Sequence, residues 1–279
     1  MNAPVVTMAS RAEHVQRIVT PGGIVAWLVE SYAVPLVALE FSIRGGAAQD
    51  PADKPGLATL LSGMLDEGAG PYDARGFHRA IDELAIHIGF GADRDSISGH
   101  LQTLSRNIDK AFELMKLALT QARLEAGDVA RARKDLKIAV VGAIDAQTLS
   151  ARLDDTFGAF AQTNDLIPVA PIELANVGTR KVVDLDIPQS TLRFGRPGVS
   201  KHDPDYFAVV VANHILGGGT FTARLFHEVR EKRGMAYSVY SQLNEYDQCP
   251  MLLGAAATKN ERAGEALALI EDVVRPFAD

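Results

Sequence analysis

Arg230 and Tyr237 are the side chains whose types and spacing most invite a chemical reading. Thr222–Lys232 reads as a helix ending at Arg233-Gly234, with a strand starting at Met235. Phe226 and Arg230 are four residues apart, so Arg230 sits on or beside the helix's apolar stripe. A guanidinium there is costly unless it has a partner or faces a cleft. Tyr237 follows within the first residues of the strand. An arginine at a helix end and a tyrosine at a strand start can aim donors at one point, an arrangement that suits carbonyl oxygens. A plainer arrangement fits the same residues: Arg230 paired with Glu228 or Glu231, and Tyr237 in the core.

Other chemistry finds little support. The chain has no G-x-S-x-G nucleophile turn, no G-x-x-x-x-G-K-[ST] phosphate cradle, and neither H-E-x-x-H nor H-x-x-E-H. Its seven histidines are His14, His78, His87, His100, His202, His214 and His227, and no two lie within five residues. One helix face therefore cannot offer two imidazoles to a metal. A centre built from distant histidines stays open as an alternative. Gly217-Gly218-Gly219 is read as the end of the Asp205–Leu216 helix, with Thr220 or Thr222 capping the next one.

The chain has 279 residues, enough for two domains that each bury a core. A net charge of -7 argues against nucleic acid as the main partner. The basic residues Arg131, Arg133, Lys134 and Lys137 alternate with Ala130, Leu136 and Ile138, as on the solvated end of a helix. Cys249 is the single cysteine, so an intrachain disulfide is excluded. The apolar runs are too short to span a membrane. Met1–Gln16 lacks the apolar run of a signal peptide. The compartment stays open: bacterial periplasm if a leader was removed, otherwise cytoplasm.

The elements that must position Arg230 and Tyr237 follow from periodicity. Strands are expected at Val15–Val19, Gly23–Glu30, Pro35–Arg44, Ser96–Thr103 and, fully buried, Leu136–Gly142. Helices are expected at Lys54–Asp66, Asp73–Ile88, Asn107–Ala122, Asp128–Lys134 and Asp145–Phe157. Gln162–Val177, with its prolines, is the linker. Beyond it come strands at Lys181–Asp186, Ser190–Arg196, Met235–Leu243 and Met251–Ala257. Helices there are Asp205–Leu216, Thr222–Lys232 and Glu261–Val274.

Ala74-Arg75-Gly76-Phe77-His78 and Ala223-Arg224-Leu225-Phe226-His227 each open a helix after a glycine-rich turn. Each precedes a strand pair and then an amphipathic helix. The expected fold is therefore α+β: two duplicated units of sheet plus helices, residues 1–161 and 179–279 joined by 162–178. The second copy is shortened, lacking counterparts of Leu136–Gly142 and Asp145–Phe157.

On these residues the sequence resembles the pitrilysin/insulinase-like zinc peptidases, in their bacterial two-subunit, processing-peptidase-like branch. The resemblance is carried by Gly217-Gly218-Gly219, Ala223-Arg224-Leu225-Phe226 and Val229-Arg230-Glu231-Lys232-Arg233-Gly234-Met235-Ala236-Tyr237-Ser238. In the first half it is carried by Arg44-Gly45-Gly46-Ala47, Gly56-Leu57-Ala58 and Met64-Leu65. The resemblance implies that Arg230 and Tyr237 hold substrate backbone. It implies that Thr59, Ser62 and Gly63 stand where active members carry the inverted zinc motif, leaving no metal ligand or general base. A helical stretch bearing a further acidic ligand in that family has no counterpart after Arg133. The implied function is a non-catalytic subunit gripping an extended peptide. The implied partner is a homologous, zinc-bearing subunit that cleaves it, and the grip is backbone-directed addition to a sheet edge. No cofactor is expected in this chain, and zinc is expected in the partner. The chain could also pair with itself as a homodimer in isolation. The rival reading is a structural core protein of the same fold.

Overall fold

The computed structural model describes residues 14–123, 136–160 and 166–277. The chain divides at Pro168/Val169 into two compact units.

The first unit is built on a six-stranded sheet. Its strands are β1 (Gln16–Val19), β2 (Val25–Glu30), β3 (Leu36–Arg44), β4 (His87–Ala92), β5 (Ser96–Leu104) and β6 (Leu136–Gly142). They lie in the order β1-β2-β6-β3-β5-β4, antiparallel except for the parallel pair β2–β6. Four helices accompany the sheet: α1 (Leu57–Met64), α2 (Ala74–Glu83), α3 (Ile108–Thr120) and α4 (Ala146–Phe157). Asp73 caps α2 by accepting from the Gly76 N–H at 2.7 Å, and Asp145 caps α4 by accepting from the Thr148 N–H at 2.9 Å. The core joins the inward residues of β2, β3, β5 and β6 to Phe77, Phe112, Met115, Leu149 and Phe157. At the other end of the sheet, the Asp154 carboxylate of α4 accepts from the Thr20 hydroxyl and the Gly22 N–H, which ties the β1–β2 turn to that helix.

The second unit has a three-stranded antiparallel sheet of β7 (Gln189–Pro197), β8 (Ser238–Asn244) and β9 (Met251–Lys259), in the order β7-β9-β8. Its α-helices are α5 (Tyr206–Asn213) and α6 (Ala263–Val274). Two π-helical turns, His214–Gly218 and Phe226–Glu231, lie between α5 and β8. Its core gathers Leu216, Leu225, Val229, Val239, Ala256 and Ile270.

The duplication is visible in the pairing register. The order β3-β5-β4 of the first sheet recurs as β7-β9-β8. Phe41, sixth in β3, faces Gly99, fourth in β5; Phe194, sixth in β7, faces Gly254, fourth in β9. In both places the ring covers the glycine so closely that a Cβ would collide with it. Thr103 and Thr258, each eighth in its strand, are both buried. Each strand then runs through a 3-10 turn, Ser105–Asn107 or Asn260–Arg262, into a helix, α3 or α6. The residue closing the helix before the strand pair is left-handed in both units, Ala85 at φ 50 and Gly234 at φ 57.

Four expectations need correction. Helix α2 ends at Glu83 and not at Ile88, because left-handed Ala85 reverses the chain and His87 opens β4. Leu136–Gly142 is a strand over the predicted bounds, but only one face is buried, and Val141 on the other is exposed. Lys181–Asp186 forms no strand. Its counterpart by order, β2, joins its sheet only through β6, and the described second unit has no such strand. The Thr222–Lys232 helix contains a π-turn, and its following strand starts at Ser238 instead of Met235. The expected helix Asp128–Lys134 lies outside the described residues. No helix among the described residues is long and apolar enough to cross a membrane.

The Phe-over-Gly contact generates a test. The Phe41 ring is hemmed in by Phe157 at 5.2 Å and Phe90 at 6.3 Å between centroids, so it cannot swing away from a new methyl group. Gly99→Ala should cost about 1–3 kcal/mol of stability by overpacking. Gly254→Ala should cost less, because Phe194 is only partly buried. Urea melts of both variants check this; a Gly99→Ala protein as stable as wild type would remove the ring as the constraint on register.

Candidate functional site

The second unit departs from the first at Arg230 and Tyr237. Counted from the shared Ala-Arg-x-Phe-His start, Arg230 falls where the first unit has Ile81, a core residue. From the left-handed residue to the strand, the first unit takes two steps, Ala85 to His87, and the second takes four, Gly234 to Ser238. The two extra residues are Ala236 and Tyr237. Ala236 is buried, while the Tyr237 side chain is 80% exposed. The Tyr237 N–H already donates to the Ala257 carbonyl at 3.1 Å, so its backbone is held by β9 one residue before β8 formally starts.

Arg230 lies between two rings. Its guanidinium carbon is 4.5 Å from the Phe226 centroid and 5.6 Å from that of Tyr237, a cation–π arrangement. The π-turn Phe226–Glu231 carries it, with the Lys232 N–H donating five residues back to the His227 carbonyl. Such turns are rare and concentrate at functional sites. Glu228, one of the two carboxylates that could have neutralised Arg230, is engaged elsewhere. Glu228 accepts from Lys232 at 2.7 Å and from Arg233 at 2.8 Å. The Glu231 carboxylate lies 3.9 Å from His227. Lys232 first, then Arg233, pull the Glu228 carboxyl down to about 2. Among the described residues no carboxylate forms an ion pair with Arg230. The arrangement with Arg230 ion-paired and Tyr237 in the core is therefore not the one adopted.

Beside the pair runs an open cleft of ≈ 560 Å³, lined along β8 from Tyr237 to Leu243 and opposite it by Asn213, Gly217, Phe221 and Phe226. Strand β8 is an edge of its sheet. The glycine-rich turn explains the cleft's floor. A Cβ at Gly217 would lie 2.5 Å from the Ser241 backbone nitrogen and 2.9 Å from Leu225, so only glycine lets the turn pack on β8. None of Gly217, Gly218 and Gly219 is left-handed; Thr220 is, at φ 50. The helical segment that continues α5 ends at Gly218 with Gly219 as its cap, as expected, and the glycines also allow the close approach to β8. Neither threonine caps the next helix: Thr222 Oγ1 donates back to the Gly219 carbonyl at 3.0 Å. Sequence reasoning missed Phe221, 69% exposed at the mouth of the cleft, and Tyr240, half-exposed along β8. An aromatic residue directly after a glycine-rich turn was the available signal.

In the first unit, Thr59, Ser62 and Gly63 all fall on α1. Thr59 and Gly63 are exposed, whereas Ser62 is buried with its hydroxyl donating to the Thr59 carbonyl at 2.9 Å. One hydroxyl turned inward, one facing solvent and a residue with no side chain do not make a zinc donor set. Among the described residues no cluster of three His, Cys, Asp or Glu could hold a metal.

Comparison with known proteins identifies the lineage. The family model described as "Peptidase M16 inactive domain" matches residues 131–279, just over half of the chain, and "Insulinase (Peptidase family M16)" matches 27–166. The chain belongs to peptidase family M16. It is a non-catalytic M16 homologue. It is 21% identical over 311 residues to the "Non-peptidase homolog YmxG" of Helicobacter pylori, covering 90% of this chain and 72% of that one. It is 36% identical over 91 residues to an uncharacterized zinc protease of Streptomyces coelicolor, a match covering 33% of this chain and only 20% of that protein. The fold is that of the crystal structure of a peptidase M16 inactive domain from Pseudomonas fluorescens, with TM-score 0.83, 23% identity and coverage of 95% of this chain and 79% of that one.

The ion pair beside Arg230 can be titrated. A carboxyl whose folded value is lowered adds stability above its ordinary range near 4.5 and loses that contribution as pH falls toward about 2. Lys232→Ala should move the Glu228 midpoint up toward 4.5, followed by the side-chain carboxyl carbon shift in an NMR pH titration. An unmoved midpoint would mean that Lys232 is not what holds Glu228 away from Arg230.

Proposed function

We propose that this chain is the non-catalytic, substrate-holding subunit of a two-chain zinc peptidase, gripping an extended peptide for cleavage by a homologous zinc-bearing partner. The observation that carries the reading is Arg230, partly exposed, stacked on two rings and, among the described residues, without a carboxylate ion pair, on the turn that leads to a sheet edge. A guanidinium kept from the acidic residues on its own helix retains donors for an incoming acceptor. The Tyr237 hydroxyl, on a rigidly held backbone, supplies a second donor. An extended peptide laid along β8 would satisfy that strand's outward backbone groups and present carbonyl oxygens to both side chains. Recognition of this kind reads backbone, so it tolerates many sequences.

The first unit supports this division of labour. With Thr59, Ser62 and Gly63 in place of a ligand set, this chain supplies no metal, and zinc belongs to the partner. Metal analysis of the protein purified without chelator should find far less than one zinc per chain. One tightly bound zinc, with peptide hydrolysis lost on its removal, would overturn this assignment.

Hydrogen bonds involving a charged group contribute about 1.5–3 kcal/mol each. Arg230→Ala or Tyr237→Phe should therefore lower peptide turnover by the reconstituted pair roughly ten- to hundredfold. Thermal melts should move little, because neither change opens a core cavity. Full turnover by the Arg230→Ala, Tyr237→Phe double variant would favour the rival reading, a scaffold of the same fold with no part in hydrolysis.

A further inference from the structure

We infer that Thr258, on β9, is a positioning residue for peptide holding: its buried hydroxyl fixes the two-residue insertion before β8 and so sets the Tyr237 ring against Arg230. This rests on the peptide-holding reading above and names what keeps the pair in shape.

The need for such a residue follows from exposure. The Tyr237 side chain is 80% exposed, so no core holds it. Its ring centroid lies 5.6 Å from the Arg230 guanidinium carbon, a placement set by the backbone. That backbone is fixed at Met235 and Tyr237. The Met235 N–H donates to the Val229 carbonyl at 2.9 Å, next to Arg230 on the π-turn, and the Met235 carbonyl accepts from the Thr258 hydroxyl. The Tyr237 N–H donates to the carbonyl of Ala257, the neighbour of Thr258. One short segment is therefore tied at one end to the turn that carries Arg230 and at the other to β9, with the Thr258 hydroxyl as the side-chain link between them.

The duplicated unit supplies the comparison. Thr103 holds the same place in β5 and is buried too, yet its hydroxyl donates to the carbonyl of its own neighbour, Leu104, at 3.3 Å. It has no insertion to hold: His87, two residues after left-handed Ala85, pairs directly with Gln102. Another bond at this corner is common to both units. Asn107 and Arg262 each close the 3-10 turn after the strand, and each donates to the carbonyl preceding the left-handed residue, Leu84 at 2.7 Å and Arg233 at 3.5 Å. That clamp is shared, so it belongs to the frame. The reach of Thr258 to Met235 accompanies Arg230 and Tyr237 alone. Met235 is buried, so its carbonyl without the hydroxyl must move to find another donor, and the Tyr237 ring moves with it.

The test uses protein labelled with fluorotyrosine, in which the Tyr237 fluorine resonance is assigned by its loss in Tyr237→Phe. The same protein is titrated into a fluorescein-labelled nonapeptide of Ser, Thr and Ala, read by anisotropy. Thr258→Val keeps the side chain's shape and removes its donor. It should move the Tyr237 resonance toward its position in Arg230→Ala, where the ring has lost the guanidinium, and weaken peptide binding roughly three- to tenfold. Thr258→Ser, which keeps the hydroxyl, should restore both. Thr258→Ala should act as the valine variant does, which keeps the question decidable if that variant does not fold. Thr103→Val loses the equivalent hydroxyl of the first unit and should change neither resonance nor affinity. An unmoved Tyr237 resonance or an unchanged affinity without the Thr258 hydroxyl, or a serine variant no better than the valine one, overturns the positioning role and leaves the grip standing. Absence of saturable peptide binding by the wild-type protein overturns the grip, and the role of Thr258 falls with it.

Discussion

In both units a phenylalanine ring lies across a glycine on the neighbouring strand, and the placement of everything else follows from that contact. Phe41 over Gly99 and Phe194 over Gly254 each admit one register, because moving either strand by one residue would set a Cβ under the ring. The register in turn places Thr103 and Thr258 in the interior, starts α3 and α6 after matching 3-10 turns, and leaves β4 and β8 as the edges. A glycine strand centre is weak by itself, and a ring covering it restores the lost packing. The pair is therefore both the weak point and the lock of each sheet.

Because the frame is shared, the differences between the units identify what the second one is specialised for. A buried isoleucine becomes Arg230, two residues are added before β8, and a regular helix acquires a π-turn. Each change alone would be a defect: a cation on an apolar stripe, an exposed tyrosine, a distorted helix. Together they are coherent. The added residues place the Tyr237 ring where it covers the guanidinium, and Phe226 covers it from the helix. Lys232 and Arg233 take Glu228, the acid that would otherwise close the ion pair. The local charges are arranged so that one arginine keeps its donors.

Much of this was legible from residue types. The four-residue spacing of Phe226 and Arg230 put the cation on the stripe, and the repeated Ala-Arg-x-Phe-His segment exposed the duplication and the α+β class. The family relationship shown by the matching models was likewise carried by motif residues. What stayed illegible has physical causes. Leu84 and Ile88 continue the helical period of α2, and nothing about an alanine announces the left-handed turn at Ala85, whereas Gly234 announces its own. Lys181–Asp186 alternates as a strand does, but a strand exists only where a neighbour pairs with it. Choosing between Arg230, Lys232 and Arg233 as the partner of Glu228 requires the π-turn's geometry, which propensity does not encode. The glycine triplet announced the helix end, which the structure keeps, but not the second reason for its use, the lack of a Cβ beside Ser241.

The asymmetry between the two units also constrains how an inactive member of a peptidase family can persist. The first unit has the larger core and the larger sheet, yet α1 offers Thr59, Ser62 and Gly63, none of them a strong ligand or base. If only the fold were being kept, the second unit would be free to return Arg230 to an aliphatic residue, which its position on the stripe favours, and to delete the two residues before β8. Exposing a tyrosine and stacking it on an unneutralised guanidinium gains about 0.5–1 kcal/mol from the cation–π contact at most exposed sites. That is too little to favour the arrangement over a buried aliphatic side chain, which contributes about 1.5–3 kcal/mol. The second unit therefore holds an arrangement that stability alone would not choose, while the first holds one from which the chemistry is gone. The proposed role, binding without cleavage, would account for both.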